Sequence, residues 1–195
     1  MDFSKTVRSS LLGLLSFSLF VSCSSAQPIS CAFVPNQTKS NPYPELTQFK
    51  NCGQIDSSGN ISLNKNTFEQ VWFNKDGLAD IRIHDGIYYI NKDAQLVRTH
   101  LFDNGPDYFK DGLARTIKNN KFGFINKKLS VVIKPEYDFA FPFIKGQAKV
   151  CNGCSLKPAD EHKAVEGGRW GVIDKQGNIV TEIKYSKKEL ESLKQ

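Results

Sequence analysis

The chain has 195 residues, 39% hydrophobic and 24% charged, with 14 Gly, 8 Pro and 5 Cys. This composition suits one ordinary globular domain, long enough to bury a core without a metal or a dense disulfide framework. The net charge is +6, but Lys and Arg are scattered among Asp and Glu, which argues for a solvated surface and against a basic stripe for nucleic acid.

Residues 1–22 read as a secretory signal, with Lys5 and Arg8 as a basic start and an apolar run at 11–21 too short for a permanent membrane helix. Phe20-Val21-Ser22-Cys23 resembles a bacterial lipobox, in which a small residue precedes the cysteine that takes lipid; Phe20 stands where Leu is usual. Ser24-Ser25-Ala26 is also a small-x-small site for ordinary cleavage, so two readings stand. In one, lipid on Cys23 attaches the protein to a membrane, and Ser24 by resemblance to such lipoproteins implies the outer membrane, facing the periplasm. In the other, the protein is released after Ala26 as a soluble periplasmic or secreted chain. Five cysteines leave one unpaired in an exported protein. If Cys23 is lipidated, Cys31, Cys52, Cys151 and Cys154 can form two disulfides. The simplest of the three possible pairings joins Cys31 to Cys52 and Cys151 to Cys154.

Residues 23–48 carry Pro28, Pro35, Pro42 and Pro44 among polar residues and predict a tether or irregular arm. From residue 49 the pattern is one of short strands closed by turns. Segments 78–83 and 87–91 flank His84-Asp85-Gly86, and 113–118 and 122–126 flank Asn119-Asn120-Lys121, predicting two β-hairpins. Asp-x-x-Gly turns follow at Asp56-Ser57-Ser58-Gly59 and Asp174-Lys175-Gln176-Gly177, whereas Asn126-Lys127-Lys128-Leu129 lacks the glycine. Residues 186–195, with Leu190 and Leu193 among charges, predict a short terminal helix that caps the structure.

The phrases repeat. Asp76-Gly77-Leu78-Ala79 returns as Asp111-Gly112-Leu113-Ala114 and as Lys145-Gly146-Gln147-Ala148. Arg169-Trp170-Gly171-Val172-Ile173-Asp174 is echoed at 121–126, more faintly at 86–91, and at 51–56. Gly53, Tyr88, Gly123 and Gly171 are thus equivalent, 35, 35 and 48 residues apart. Such a period marks an array of supersecondary units that bury a core only by stacking. Phe109, Leu113, Ile125, Tyr137, Phe143, Ala148, Trp170 and Ile173 are the candidate core, and the array begins with a half unit at Gly53.

The aromatic-Gly-aliphatic-Ile-Asp/Asn core, with Lys134-Pro135-Glu136-Tyr137-Asp138 and Pro142-Phe143 before it, resembles the WG repeat family over residues 51–185. The resemblance implies an all-β array of WG-type hairpins at 49–185, forming a twisted antiparallel sheet or a partly closed barrel. It implies architecture rather than activity. Only the last copy has the Trp-Gly pair, since Cys52, Ile87 and Phe122 replace the Trp; Tyr88 replaces a Gly, which predicts a different backbone in the second copy.

The long third interval locates an insertion. Gly77 to Tyr88 and Gly112 to Gly123 each span 11 residues, but Gly146 to Gly171 spans 25. The extra residues predict an inserted loop at 152–168, carrying Asn152, Lys157, Asp160, Glu161, His162, Lys163 and Glu166. Long loops on a rigid scaffold are where binding residues concentrate. Cys151 and Cys154 at its base admit three readings: a structural staple, a redox pair, or zinc binding with His162. In an exported hairpin the staple is favoured.

His84 and His100 read as surface residues. Asp56, Asp76, Asp111 and Asp174 recur in every unit, as turn residues do and catalytic residues do not. Trp72, Phe73, Tyr88, Tyr89, Phe139 and Phe141 are read as core in the main rather than as a carbohydrate or peptide groove. With no catalytic motif, no metal site and no cofactor motif, the expectation is a non-enzymatic envelope protein that contacts a protein or an envelope polymer through the 152–168 segment. The alternatives are an immunity or inhibitor lipoprotein against an envelope-acting toxin or hydrolase, and an envelope enzyme or redox protein using Cys151 and Cys154.

Overall fold

A computed structural model describes residues 26–84, 86–159 and 162–193. The signal segment, Cys23, Asp160 and Glu161 lie outside the described residues.

The first unit comprises β1 (Gln27–Phe33), β2 (Thr47–Ile55) and β3 (Ile61–Leu63), followed by a single helical turn, α1 (Lys65–Phe68). The second comprises β4 (Leu78–Ile83), β5 (Gly86–Asn91) and β6 (Leu96–Thr99), followed by a small hairpin of β7 (Leu101–Phe102) and β8 (Gly105–Pro106). The third comprises β9 (Leu113–Lys118), β10 (Lys121–Asn126) and β11 (Val131–Tyr137), which bends at Asp138 into β12 (Phe139–Ala140). The fourth comprises β13 (Gln147–Ala159), β14 (His162–Asp174) and β15 (Ile179–Tyr185), and α2 (Lys187–Ser192) ends the described chain.

The protein is therefore all-β with a short C-terminal helix, and its antiparallel sheets are open. Nine strands form one sheet in the order β11-β10-β9-β6-β5-β4-β1-β2-β3, and four form another in the order β12-β13-β14-β15. No barrel closes among the described residues.

Two expectations change. The arm expected at 23–48 contains β1, which lies between β2 and β4 inside the large sheet. Ile29, Cys31 and Phe33 alternate at period two and are buried, whereas three of the four prolines, Pro35, Pro42 and Pro44, follow the strand. Consequently the array opens with a full unit, because β1 supplies the strand that the repeat phrase lacks there.

The turns explain why Asp and Asn recur. Oδ1 of Asp56 accepts the N–H groups of Ser58 and Asn60, and Asp174 does the same for Gln176 and Asn178. Asn91 and Asn126 repeat this geometry. In those two copies the left-handed position falls on Ala94 (φ 59°) and Leu129 (φ 60°) rather than glycine. A non-glycine residue there costs roughly 1–2 kcal/mol, and at Leu129 full burial against Tyr89 and Ile125 offsets it.

The glycine of the repeat phrase has a packing cause. Gly123 pairs with β11 where Lys134, Pro135 and Glu136 bulge between partners Tyr137 and Ile133. Gly171 faces a similar bulge in β15, between Tyr185 and Thr181. A Cβ on Gly123 would lie 2.6 Å from the Pro135 nitrogen. In the second unit, where Tyr88 replaces glycine, Ile87, Tyr88, Tyr89 and Ile90 pair in unbroken register with β6.

The core is segmented. One cluster, centred on Phe33 and Ile81, joins the first two units; another, centred on Phe124, Phe143 and Trp170, joins the last two with Leu190 of α2. Of the candidate core, Phe109 is half-buried and the others are buried. A small cluster around Leu78 and Ile125 links the halves, beside a buried ion pair between Asp107 and Arg115.

Candidate functional site: the ribbon of the fourth unit

The insertion is a strand pair rather than a loop. In the second and third units the central hairpins pair over six residues per strand, β4 with β5 and β9 with β10. In the fourth, β13 and β14 are 13 residues each and stay paired from Gln147↔Asp174 to Ala159↔His162. The expected loop at 152–168 is corrected accordingly. Outside Gly153 and Gly168, its described residues pair across the two strands, which is how a segment with few apolar residues can leave the body without forfeiting its hydrogen bonds.

Asn152, Lys157 and Glu166 are exposed on this ribbon, together with Leu156 at 42%. The backbones of His162 and Lys163 pair with Ala159 and Pro158; their side chains, like Asp160 and Glu161, lie outside the description. Sequence proximity thus translates into a row of residues along two strands, not a pocket that gathers them.

The ribbon base is firmly held. Cys151 and Cys154 form a disulfide along β13 with Cα atoms 6.2 Å apart, and Cys31 joins Cys52 across β1 and β2 at 6.1 Å. Both separations are usual for disulfides. With its sulfurs bonded to each other, neither Cys151 nor Cys154 offers a thiolate to zinc. Cys151 is opposite Trp170 in the ladder, and the buried indole donates its N–H to the Gly167 carbonyl at 2.9 Å. Gly153, Gly167 and Gly168 all take positive φ. At Gly168 the requirement is also spatial, since a Cβ would stand 2.5 Å from Cys151 Sγ.

Asp138 completes the collar. Its carboxylate accepts the Gly153 N–H at 2.7 Å and pairs with Lys121 of β10. Hydrogen bonding from Lys121, then from Gly153, holds this carboxyl below its ordinary value. Its place in the Pro-Glu-Tyr-Asp phrase was visible in sequence, but nothing there linked it to a strand 15 residues on.

A second feature lies at the end of the array. A cavity of about 590 Å³ opens between the sheet and α2, floored by Phe141, Ala148 and Val172. Lys187 Nζ lies 5.7 Å from the Phe141 ring and 5.9 Å from the Trp170 ring, and Lys149 pairs with Glu191 at 3.4 Å. A capping box of Ser186 and Glu189 starts the helix and Leu190 anchors it. The cavity is a groove beside a capping helix, and among the described residues its lining holds one carboxylate, Glu191, and no Ser, Thr, Cys or His.

The other polar candidates have structural uses. Asp76 pairs with Lys127 at 2.8 Å, and Asp111 accepts the Gly146 N–H of the next copy at 2.7 Å. His84 is an exposed hairpin-tip residue, and the His100 ring stands edge-on to Phe122 at 5.3 Å. Among the described residues no group of three His, Cys, Asp or Glu side chains converges as a metal site, and no helix is long and apolar enough to cross a membrane.

No curated protein and no solved structure matches the chain. The WG containing repeat family matches residues 122–153 and 170–187. The interval between the two matches coincides with the overhanging part of the ribbon, so the segment that departs from this chain's own template departs from the family's as well.

Proposed function

We propose that this chain is an exported, non-enzymatic binding protein of the bacterial envelope, held at the outer membrane by lipid on Cys23, whose WG-repeat scaffold presents the β13–β14 ribbon to a protein partner. One observation carries the reading: the only hairpin of the array that overshoots its template among the described residues is also the one with a disulfide and a buried Trp at its base. Rigid presentation of exposed strand lowers the ordering cost of association. Export is supported by the pairing of four cysteines, which suits an oxidising compartment and leaves Cys23 as the odd one. The non-enzymatic reading is supported by the turn roles of the recurring carboxylates.

The test replaces residues 155–166 by Asn-Gly, closing the ribbon just beyond Cys154. The variant keeps its circular dichroism and thermal midpoint, while a partner cross-linked to the unaltered protein in intact cells disappears from the membrane fraction. Collapse of the fold, or retention of the partner, sinks the ribbon as a contact element. In parallel, Cys23→Ser moves the protein from the membrane to the soluble fraction.

A further inference from the structure

Trp72, one of the aromatics whose sequence context points in the main to the core, is 49% exposed, with Tyr43 and Tyr108 more exposed still. It stands between two cavities that share it and Val34. One, of about 400 Å³, is lined by Tyr43, Gln37 and Glu45; the other, of about 320 Å³, by Tyr108, Asn74 and Asp80. Among the described residues no Lys or Arg lines either cavity, in a chain of net charge +6.

The polar groups are underused. Asn74 Oδ1 is taken by the Asp76 and Leu78 N–H groups, but no acceptor for its amide N–H groups occurs among the described residues. Asp80, half-buried on the wall, likewise receives no side-chain hydrogen bond there. Burial pushes its carboxyl above the ordinary value, opposed by its own backbone N–H and by Arg82.

We propose that the two cavities and the Trp72 ring between them form a groove for a neutral oligosaccharide. A pyranose presents an apolar C–H face that covers an aromatic ring, and hydroxyls that donate to carboxylates and exchange bonds with amides. Aromatic lining with a few placed polar groups is the usual make-up of a ligand site. Two cavities flanking one ring fit successive sugars of a chain, whereas a single cation is held by rings converging on one point. The lack of basic lining disfavours acidic glycans. The groove belongs to the first two units and is independent of the ribbon, so either reading can fail alone.

The chain and its variants are applied to an array of neutral and acidic glycans, and the best neutral binders are titrated by isothermal titration calorimetry, with tryptophan emission as a second readout for the unaltered chain and for Asp80→Asn. Trp170 is fully buried, so the emission response reports Trp72. Saturable binding of neutral glycans is expected, lost in Trp72→Ala, partly kept in Trp72→Phe and weakened about tenfold or more in Asp80→Asn, as for a hydrogen bond to a charged group. Circular dichroism confirms that each variant is folded. Binding confined to acidic glycans, no glycan binding, or a neutral-glycan response that survives Trp72→Ala overturns the proposal. So does a tetramethylammonium response without any glycan binding.

Discussion

Asp107 and Arg115 form a two-point ion pair inside the protein, with Nη2–Oδ1 at 2.6 Å and Nε–Oδ2 at 3.0 Å, each side chain only 3% exposed. Arg115 also donates its backbone N–H to Asp107 and its Nη1 to the Ala140 carbonyl, while the Tyr89 hydroxyl donates to the Asp107 carbonyl. The pair therefore ties β5 and β9 to the strand that leads into the fourth unit, beside the small cluster that holds Tyr89. Removing one partner strands a buried charge. Asp107→Ala is expected to lower unfolding free energy by about 3–5 kcal/mol, and the joint change Asp107→Leu with Arg115→Met to cost far less. Urea titrations of the three proteins decide this; a single-variant loss below about 1 kcal/mol would contradict the account.

Two glycines of the repeat should respond differently to the same substitution. Gly112 has φ 85° and open space around a would-be Cβ, so Gly112→Ala carries only the left-handed penalty of roughly 1–2 kcal/mol. Gly123 needs no unusual φ, but a Cβ would enter the bulged backbone at Lys134 and Pro135, and Gly123→Ala should cost about 3 kcal/mol or more as overpacking against atoms that cannot rotate away. Thermal denaturation of both variants gives the order. Equal losses would mean that the bulge relaxes.

The disulfides differ in span, 21 residues for Cys31–Cys52 and 3 for Cys151–Cys154. Chain entropy then assigns the first about 3.4 kcal/mol and the second about 2 kcal/mol. Paired Cys→Ser variants, compared by denaturant midpoint, should fall in that order. The short bridge acts chiefly on the ribbon base, so its loss should speed exchange of amides near Gly153 and Gly168 while leaving those of β4 and β5 protected.

Local rules made most of the array readable. Short runs closed by turn residues marked β4, β5, β9 and β10, paired asparagines with φ 51° and 58° closed the β9–β10 hairpin as expected, and the Asp-x-x-Gly phrase carried its own hydrogen bonds. Distance defeated the rest. β1 pairs with β2 across 13 intervening residues and with β4 across many more, so its prolines and polar neighbours outweighed the short alternation Ile29, Cys31, Phe33. The ribbon has a polar sequence and is held by its ladder. Asp107 and Arg115 are ordinary charges until the irregular return buries both, and the exposure of Trp72 depends on where the chain passes after α1.

Asp138 supplies a pH signature for the ribbon base. Its carboxyl lies below its ordinary value of 3.8, first because Lys121 hydrogen-bonds it and next because Gly153 donates its N–H. A carboxylate with a depressed folded pKa adds stability that is complete above the unfolded value and fades as pH falls through the folded one. Asp138→Asn keeps an acceptor for Gly153 but loses the charge facing Lys121, so the variant should be less stable than the parent at pH 7 and the gap should close below about pH 3.8. Partial exposure of both side chains keeps the effect small, and salt should shrink it further at neutral pH. Unfolding curves at pH 7, 4 and 2.5 for both proteins make the comparison. A gap that persists unchanged at pH 2.5 would assign the loss to altered packing rather than to the charge.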